Sequence, residues 1–211
     1  MFKRMKSSKY FLLLILIWII NPTQAQIKHY DFNILAYGGI GFGVMENDSD
    51  PNYNMNSNSA DILLKYRVTQ KLGIATGIGL NELSGDGFNI NGNFHHERKL
   101  LKIPLLAILD YTISDHFSII PNLGVYANYI FEDEYRFLNS THKNIFEEWN
   151  FGAQLGVGLI FELYTNFHLG FNYGLQYDLS KFSSSNKQLI INDKQKLGRM
   201  NSLGIVLVME L

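Results

Sequence analysis

Residues 166 to 179 read NFHLGFNYGLQYDL. Phe167, Leu169, Phe171, Tyr173, Leu175, Tyr177 and Leu179 alternate without a break with His168, Gly170, Asn172, Gly174, Gln176 and Asp178. Side chains of a β-strand point to opposite faces with a period of two, so this stretch predicts a strand with one greasy face and one small, polar face. A soluble sheet would turn the greasy face inward, whereas an outer-membrane barrel would turn it out into lipid. The fold depends on which of these holds.

The same division recurs along the chain. Leu72, Ile74, Thr76, Ile78 and Leu80 stand against Gly73, Ala75, Gly77 and Gly79; Trp149, Phe151, Ala153, Leu155, Val157, Leu159 and Phe161 stand against Asn150, Gly152, Gln154, Gly156 and Gly158. Near the C-terminus Leu203, Ile205, Leu207, Met209 and Leu211 alternate with Ser202, Gly204, Val206 and Val208. A water-facing β surface normally carries Lys, Glu and Thr, and glycine weakens a strand while packing nothing. Small, uncharged residues suit the crowded interior of a narrow barrel. Aromatics gather at both strand ends: Tyr66, Tyr111, Phe117, Phe161, Tyr164 and Phe167 at one, Tyr129, Phe131, Trp149, Phe151 and Tyr177 at the other. Two girdles of this kind mark the two membrane interfaces. The greasy face is therefore expected to meet lipid. The rival is a secreted lipocalin-like barrel with the same aromatic face lining an apolar pocket.

Strands are predicted near residues 31–44, 60–68, 72–83, 98–111, 116–131, 147–162, 166–179 and 197–211. The gaps around 69–71, 112–115 and 163–165 are tight, and those around 45–59, 84–97, 132–146 and 180–196 are long and polar. The expected fold class is thus all-β: an eight-stranded antiparallel up-and-down transmembrane β-barrel with short periplasmic turns and long extracellular loops.

The N-terminus agrees with export. Lys3, Arg4, Lys6 and Lys9 precede an apolar block from Tyr10 to Ile20, which breaks at Asn21-Pro22 before Thr23-Gln24-Ala25. A signal peptide over residues 1–25 is expected, followed by a barrel domain over 26–211. The block is shorter than the roughly 18 to 20 residues a spanning helix needs. The chain has 0 cysteines, so no lipoprotein anchor, disulfide or thiolate site is expected. A formal net charge of −1 gives no electrostatic footprint for nucleic acid.

RKLLKIPLLAILDY (98–111) and FSIIPNLGVYANY (117–129) resemble the outer-membrane β-barrel family common in Bacteroidetes, the PorT-like or outer membrane protein beta-barrel domain. The resemblance is carried by Ile103-Pro104-Leu105 and by Pro121 with Gly124. It implies an eight-stranded barrel in the cell outer membrane of a Gram-negative bacterium, in a porin-like family with one branch linked to type IX secretion and gliding. Barrels of this kind commonly end in an aromatic. Here the last residues are Met209-Glu210-Leu211, where Leu211 keeps the parity and an apolar side chain.

If the polar face is the lumen, its charges must be paired or hydrated. A structural network is expected in which Arg67 meets some of Asp110, Glu162 and Glu210 at the periplasmic end, with a looser pair between Lys102 and Glu148 above. A proton or small-ion path is the functional alternative for this network. HHER (95–98) places His95 and His96 in an expected loop, with His142 in the next; Glu97 and Glu134 could join them as metal ligands, but adjacent loop histidines are more simply solvated. ENDSDPNYN (46–54) lacks the glycine and distal Glu of an EF-hand loop. No nucleophile motif places Ser84 or Ser140 beside His95 or His142, so no catalytic site, metal or cofactor is expected. The leading expectation is a non-enzymatic, monomeric barrel. It would contact outer-membrane lipid and, through its long loops, an extracellular ligand or envelope partner. A secretion component, a lipid-modifying enzyme and a narrow channel stand as alternatives.

Overall fold

The computed structural model describes residues 32–146, 149–183 and 194–211; the expected signal peptide lies outside them. The strands are β1 (Phe32–Asn47), β2 (Tyr53–Arg67), β3 (Leu72–Asn89), β4 (Gly92–Leu109), β5 (Tyr111–Ser114), β6 (Phe117–Phe137), β7 (Thr141–Lys143), β8 (Trp149–Tyr164), β9 (Phe167–Asp178), β10 (Phe182–Ser183) and β11 (Lys194–Glu210). Eight long strands pair antiparallel in the order β1-β2-β3-β4-β6-β8-β9-β11, and β11 pairs back onto β1. The ring is closed, with β5 and β7 hung on β6 and β10 on β11. At the seam the two backbones approach too closely for side chains: a Cβ on Gly41 would collide with the Asn201 carbonyl oxygen, and one on Gly204 with that of Gly38.

The alternating faces now have an orientation. Ile40, Ile62, Ile78, Leu123, Phe171 and Leu203 point outward and are 61 to 71 % accessible, which no isolated water-soluble sheet would tolerate as a continuous belt. The small and polar set points inward. The lipocalin alternative, which needs the aromatic face inside, is overturned by this geometry.

Inside the belt the lumen is filled in layers. Leu35, Leu63, Ala75, Leu106, Ile108, Ile120, Ile160, Val206 and Val208 pack together just inside the mouth that carries the tight turns. A polar layer lies over them, holding a cavity of about 40 Å³ bordered by Tyr37, Asp61, Asn122, Gln154, Asn172 and Gln176. Inward glycines in this layer act as gaps across which neighbouring strands meet. Asp61, Gly79 and Lys102 are consecutive across β2, β3 and β4, and the Lys102 Nζ donates to Asp61 Oδ2 at 2.6 Å. Tyr126, Gly152 and Asp178 repeat the arrangement across β6, β8 and β9, the hydroxyl donating to Asp178 Oδ1 at 2.7 Å. A Cβ on either glycine would clash with these side chains.

The end expected to be extracellular differs in structure from the expectation. The segments 45–59 and 84–97 are largely strand rather than long loops: β1 and β2 are joined across residues 48–52, and β3 and β4 by Ile90 and Asn91 alone. Asn91 donates its backbone N–H to Asn89 Oδ1 at 2.9 Å, and Gly92 has φ 109°, a left-handed conformation that glycine adopts without strain. The physical reason is a reversal of faces above the lipid. In β4, outward Leu101, Ile103, Leu105 and Ala107 give way to outward Lys99, Glu97 and His95, while the inward positions become Leu100, Arg98, His96 and Phe94. Long, polar and loop-like in composition, these segments are strands that enclose a second core.

An arginine at Phe171 or Leu155, in the middle of the belt, should destabilise the barrel by about 2–4 kcal/mol, against about 0–1 kcal/mol for Asn56→Arg above it. Urea unfolding from lipid vesicles measures both; equal penalties would contradict the belt.

Candidate functional site

The second core occupies the extension of the barrel at the end expected to be extracellular, beyond the outward charges Glu82, Lys99 and Glu132 that end the lipid-facing belt. Met45, Tyr53, Met55, Leu83, Phe94, Leu100, Ile130, Tyr135, Ile145, Phe146, Phe182, Leu197 and Met200 form it. Embedded among them is an ion pair whose two side chains are both 0 % accessible: Arg98 Nε donates to Asp133 Oδ1 at 2.7 Å. Arg98 also donates through Nη2 to Gln195 Oε1 at 3.0 Å, and its guanidinium lies over the rings of Phe146 and Phe182, at 5.0 and 5.2 Å. These two rings come from the connections after β7 and β9, so one cation holds both connections down onto the barrel. The Phe146 backbone N–H donates to the second Asp133 oxygen at 3.3 Å.

His96 completes the set. Its Nε2 lies 2.9 Å from Asp133 Oδ1 and its Nδ1 2.7 Å from the Tyr53 hydroxyl. An ionised carboxylate only accepts, so Nε2 carries the proton and Nδ1 accepts from Tyr53. The imidazole stacks on Tyr135, with centroids 4.0 Å apart and planes 15° from parallel, and the Tyr135 hydroxyl donates to Gln195 at 3.0 Å. Burial, reinforced by the Arg98 charge, pushes His96 from 6.5 down to about 4. Burial alone would raise Asp133, but Arg98 and the two hydrogen bonds outweigh it and hold the carboxyl below its ordinary value. Neutral His96 and ionised Asp133 are therefore the resting forms. The expectation that HHER is a solvated loop is corrected: His96 and Arg98 are buried strand residues, while His95 stays outside, 2.7 Å from Asp86. The pattern H-x-R with both residues on the inward parity, opposite D-x-Y in β6, was the signal available for this site.

Above this core a depression of about 1310 Å³ opens outward between the β1–β2 connection, the β3–β4 tip and the β6–β7 hairpin. Tyr53, Phe94 and Phe137 border it along with His95, His142 and several asparagines. Among the described residues no group of three or more His, Asp or Glu side chains is arranged to hold a metal.

At the opposite mouth, expected to be periplasmic, Arg67 lies 3.6 Å from Glu210, which also has His168 at 3.7 Å. Asp110 pairs with Lys65 at 2.5 Å, and Glu162 with His116 at 3.3 Å. Lys102 pairs with Asp61 across Gly79; Glu148, its expected partner, lies outside the described residues.

The barrel is similar to solved outer-membrane proteins. Neisserial surface protein A has a TM-score of 0.53 at 15 % identity, over 86 % of this chain and 97 % of that one. A major outer membrane protein from Thermus thermophilus gives 0.56 at 13 %, over 85 % and 98 %. The outer membrane protease OmpT from Escherichia coli gives 0.52 at 6 %, over 90 % and 99 %. At these identities the likeness is one of fold. No family model and no curated sequence matches the chain. The closed ring, its lipid-facing belt and this likeness make the chain an outer-membrane β-barrel protein, located in the cell outer membrane.

Removing one member of the buried pair leaves a stranded charge. Arg98→Met is expected to cost about 3–5 kcal/mol, and the double variant Arg98→Met with Asp133→Leu clearly less; denaturant midpoints in detergent compare them. Acid should act through His96. Between pH 6.5 and about 4 the unfolded chain takes up a proton that the folded chain refuses. Stability therefore falls with pH over that window, by about 3 kcal/mol in total. His96→Gln should flatten this part of the profile, and an unchanged slope would refute the assignment.

Proposed function

We propose that this protein is a sealed, non-enzymatic barrel whose working part is its extracellular end, a rigid platform that contacts a ligand or envelope partner outside the cell. The observation that carries this is the double seal of the lumen. The apolar layer above the periplasmic mouth and the second core under the depression both lie across the path. Eight strands enclose an interior that side chains can fill, which supports a plug over a pore. The strands run on past the bilayer, β6 over 21 residues where a crossing takes roughly 9 to 11, and that surplus is built around Arg98 and Asp133. Ser140 and His142 lie 3.3 Å apart on the exposed hairpin, and the described contacts of that imidazole include no carboxylate to orient it, which favours binding over hydrolysis.

A place among the PorT-like barrels of Bacteroidetes belongs to the same proposal, supported by the sequence resemblance at Ile103-Pro104-Leu105 and at Pro121 with Gly124. A secretion role would use the other end, the charged cavity of about 570 Å³ bordered by Lys65, Arg67, Asp110, Asp115, His168 and Glu210.

In a planar bilayer the purified barrel should give no conductance steps above background. In intact cells, Asn139→Cys, the sole thiol in a chain with 0 cysteines, should react with a membrane-impermeant maleimide. Discrete channel openings, or a thiol reached only after lysis, would overturn the proposal.

A further inference from the structure

We infer that the extracellular depression binds an uncharged glycan, an inference that rests on the surface-platform reading and names its ligand class. The electrostatics of the lining point this way first. Its charged side chains already have partners: Asp86 lies 2.7 Å from the His95 imidazole, and Arg136 pairs with Glu97 and with Glu134, the latter at 2.6 Å. The Arg136 guanidinium is spent on two carboxylates, so a phosphate or sulfate group would have to break one of those pairs.

What the lining does offer is amide. The side chains of Asn54, Asn91, Asn93 and Asn139 are exposed around the depression and, among the described residues, have no hydrogen-bond partner. Each carries two donors and a carbonyl acceptor, the inventory that pairs of neighbouring hydroxyls require. Between them lie apolar faces. Phe137 is half-buried, packed on Phe94 at 5.6 Å and edge-on to His142 at 5.8 Å, and Phe88 is exposed on the neighbouring strand. A pyranose ring presents an apolar C–H face and a hydroxylated edge, which such a floor and rim would cover together.

The floor is also held in advance. Phe94 rests on Tyr53 at 5.3 Å and on Tyr135 at 5.2 Å, and both hydroxyls belong to the network around His96 and Gln195. Little conformational freedom is left to lose when a ligand docks. A volume of about 1310 Å³ accommodates an oligosaccharide rather than a single sugar.

The test uses the full barrel in phosphatidylcholine nanodiscs, free of sugar detergents. It is probed with an array of neutral gluco-, manno- and galacto-oligosaccharides beside sulfated and sialylated glycans. Retention of a neutral series is expected, unaffected by raising salt from about 0.05 to about 0.5 M because no charge is used. Asn93→Ala with Asn139→Ala should weaken it about tenfold. Phe137→Leu, which keeps the core filled, should do the same, and a retained heat-dependent gel shift certifies that each variant is folded. Retention only of sulfated or sialylated glycans, lost at high salt, would overturn the inference, as would retention of none. The Asn139→Cys labelling separates the two levels. A thiol labelled on intact cells with no neutral glycan retained removes the ligand class and leaves the platform; an unlabelled one removes both.

Discussion

Everything in this molecule follows from the hydrogen bonds of a sheet that has no edge. In hydrocarbon there is no water to satisfy a free N–H or C=O, so strands cross only if the last one pairs with the first. Here β11 returns to β1 from Asn33 opposite Glu210 to Asn47 opposite Gln195, with one register shift after Val44. Closing eight strands leaves a narrow interior, and the narrowness selects the inward residues. Glycine recurs there because a full side chain on every strand would not fit. The gaps it leaves let Lys102 reach Asp61 and Tyr126 reach Asp178 from two strands away.

The bilayer imposes a second condition, which ends where the lipid ends. Within the belt the chain is greasy outside and holds an apolar layer and a small, polar layer inside; above it the same strands are polar outside and apolar inside. The transition is visible within single strands. In β2, outward Ile62, Leu64 and Tyr66 are followed above by outward Asn54, Asn56 and Asn58, while the inward side passes from Lys65 and Asp61 to Met55 and Tyr53. The extracellular part obeys the rules of a water-soluble protein, and it has what a small soluble domain needs, a packed centre of its own.

That centre is built around a charge pair. Taking Arg98 and Asp133 out of water is costly, and their mutual attraction is supported by further contacts that offset it: Gln195, the Phe146 N–H, His96 and two aromatic faces. In return the pair selects one arrangement, since the segments carrying Phe146 and Phe182 can satisfy it only from where they are. The outward pairs, such as Lys99 with Glu132 at 2.7 Å, are exposed and contribute little to stability. The ends of the barrel are thus unequal: a loosely charged mouth at the tight turns, and an opposite end organised around the buried Arg98.

The strand periodicity, the direction of the greasy face and the closed ring of strands were all legible in the sequence. They rest on a period-two pattern that local chain geometry reads out residue by residue. The extents of β2, β3 and β4 were not, because Asn, Ser and Asp in 45–59 and 84–97 have the composition of loops whether or not the alternate positions pack against a core. The buried His96 was hidden for the same cause, beside His95 in a run that looks solvated. Charged partners were legible as a set and not as pairs. Arg67, Glu210, Asp110 and Lys102 could be assigned to the lumen from parity, but Lys65 with Asp110 and Lys102 with Asp61 were decided by register and by which intervening residue is a glycine. Parity is a property of one strand. Partnership across a closed ring belongs to several strands at once, and only the tertiary structure fixes it.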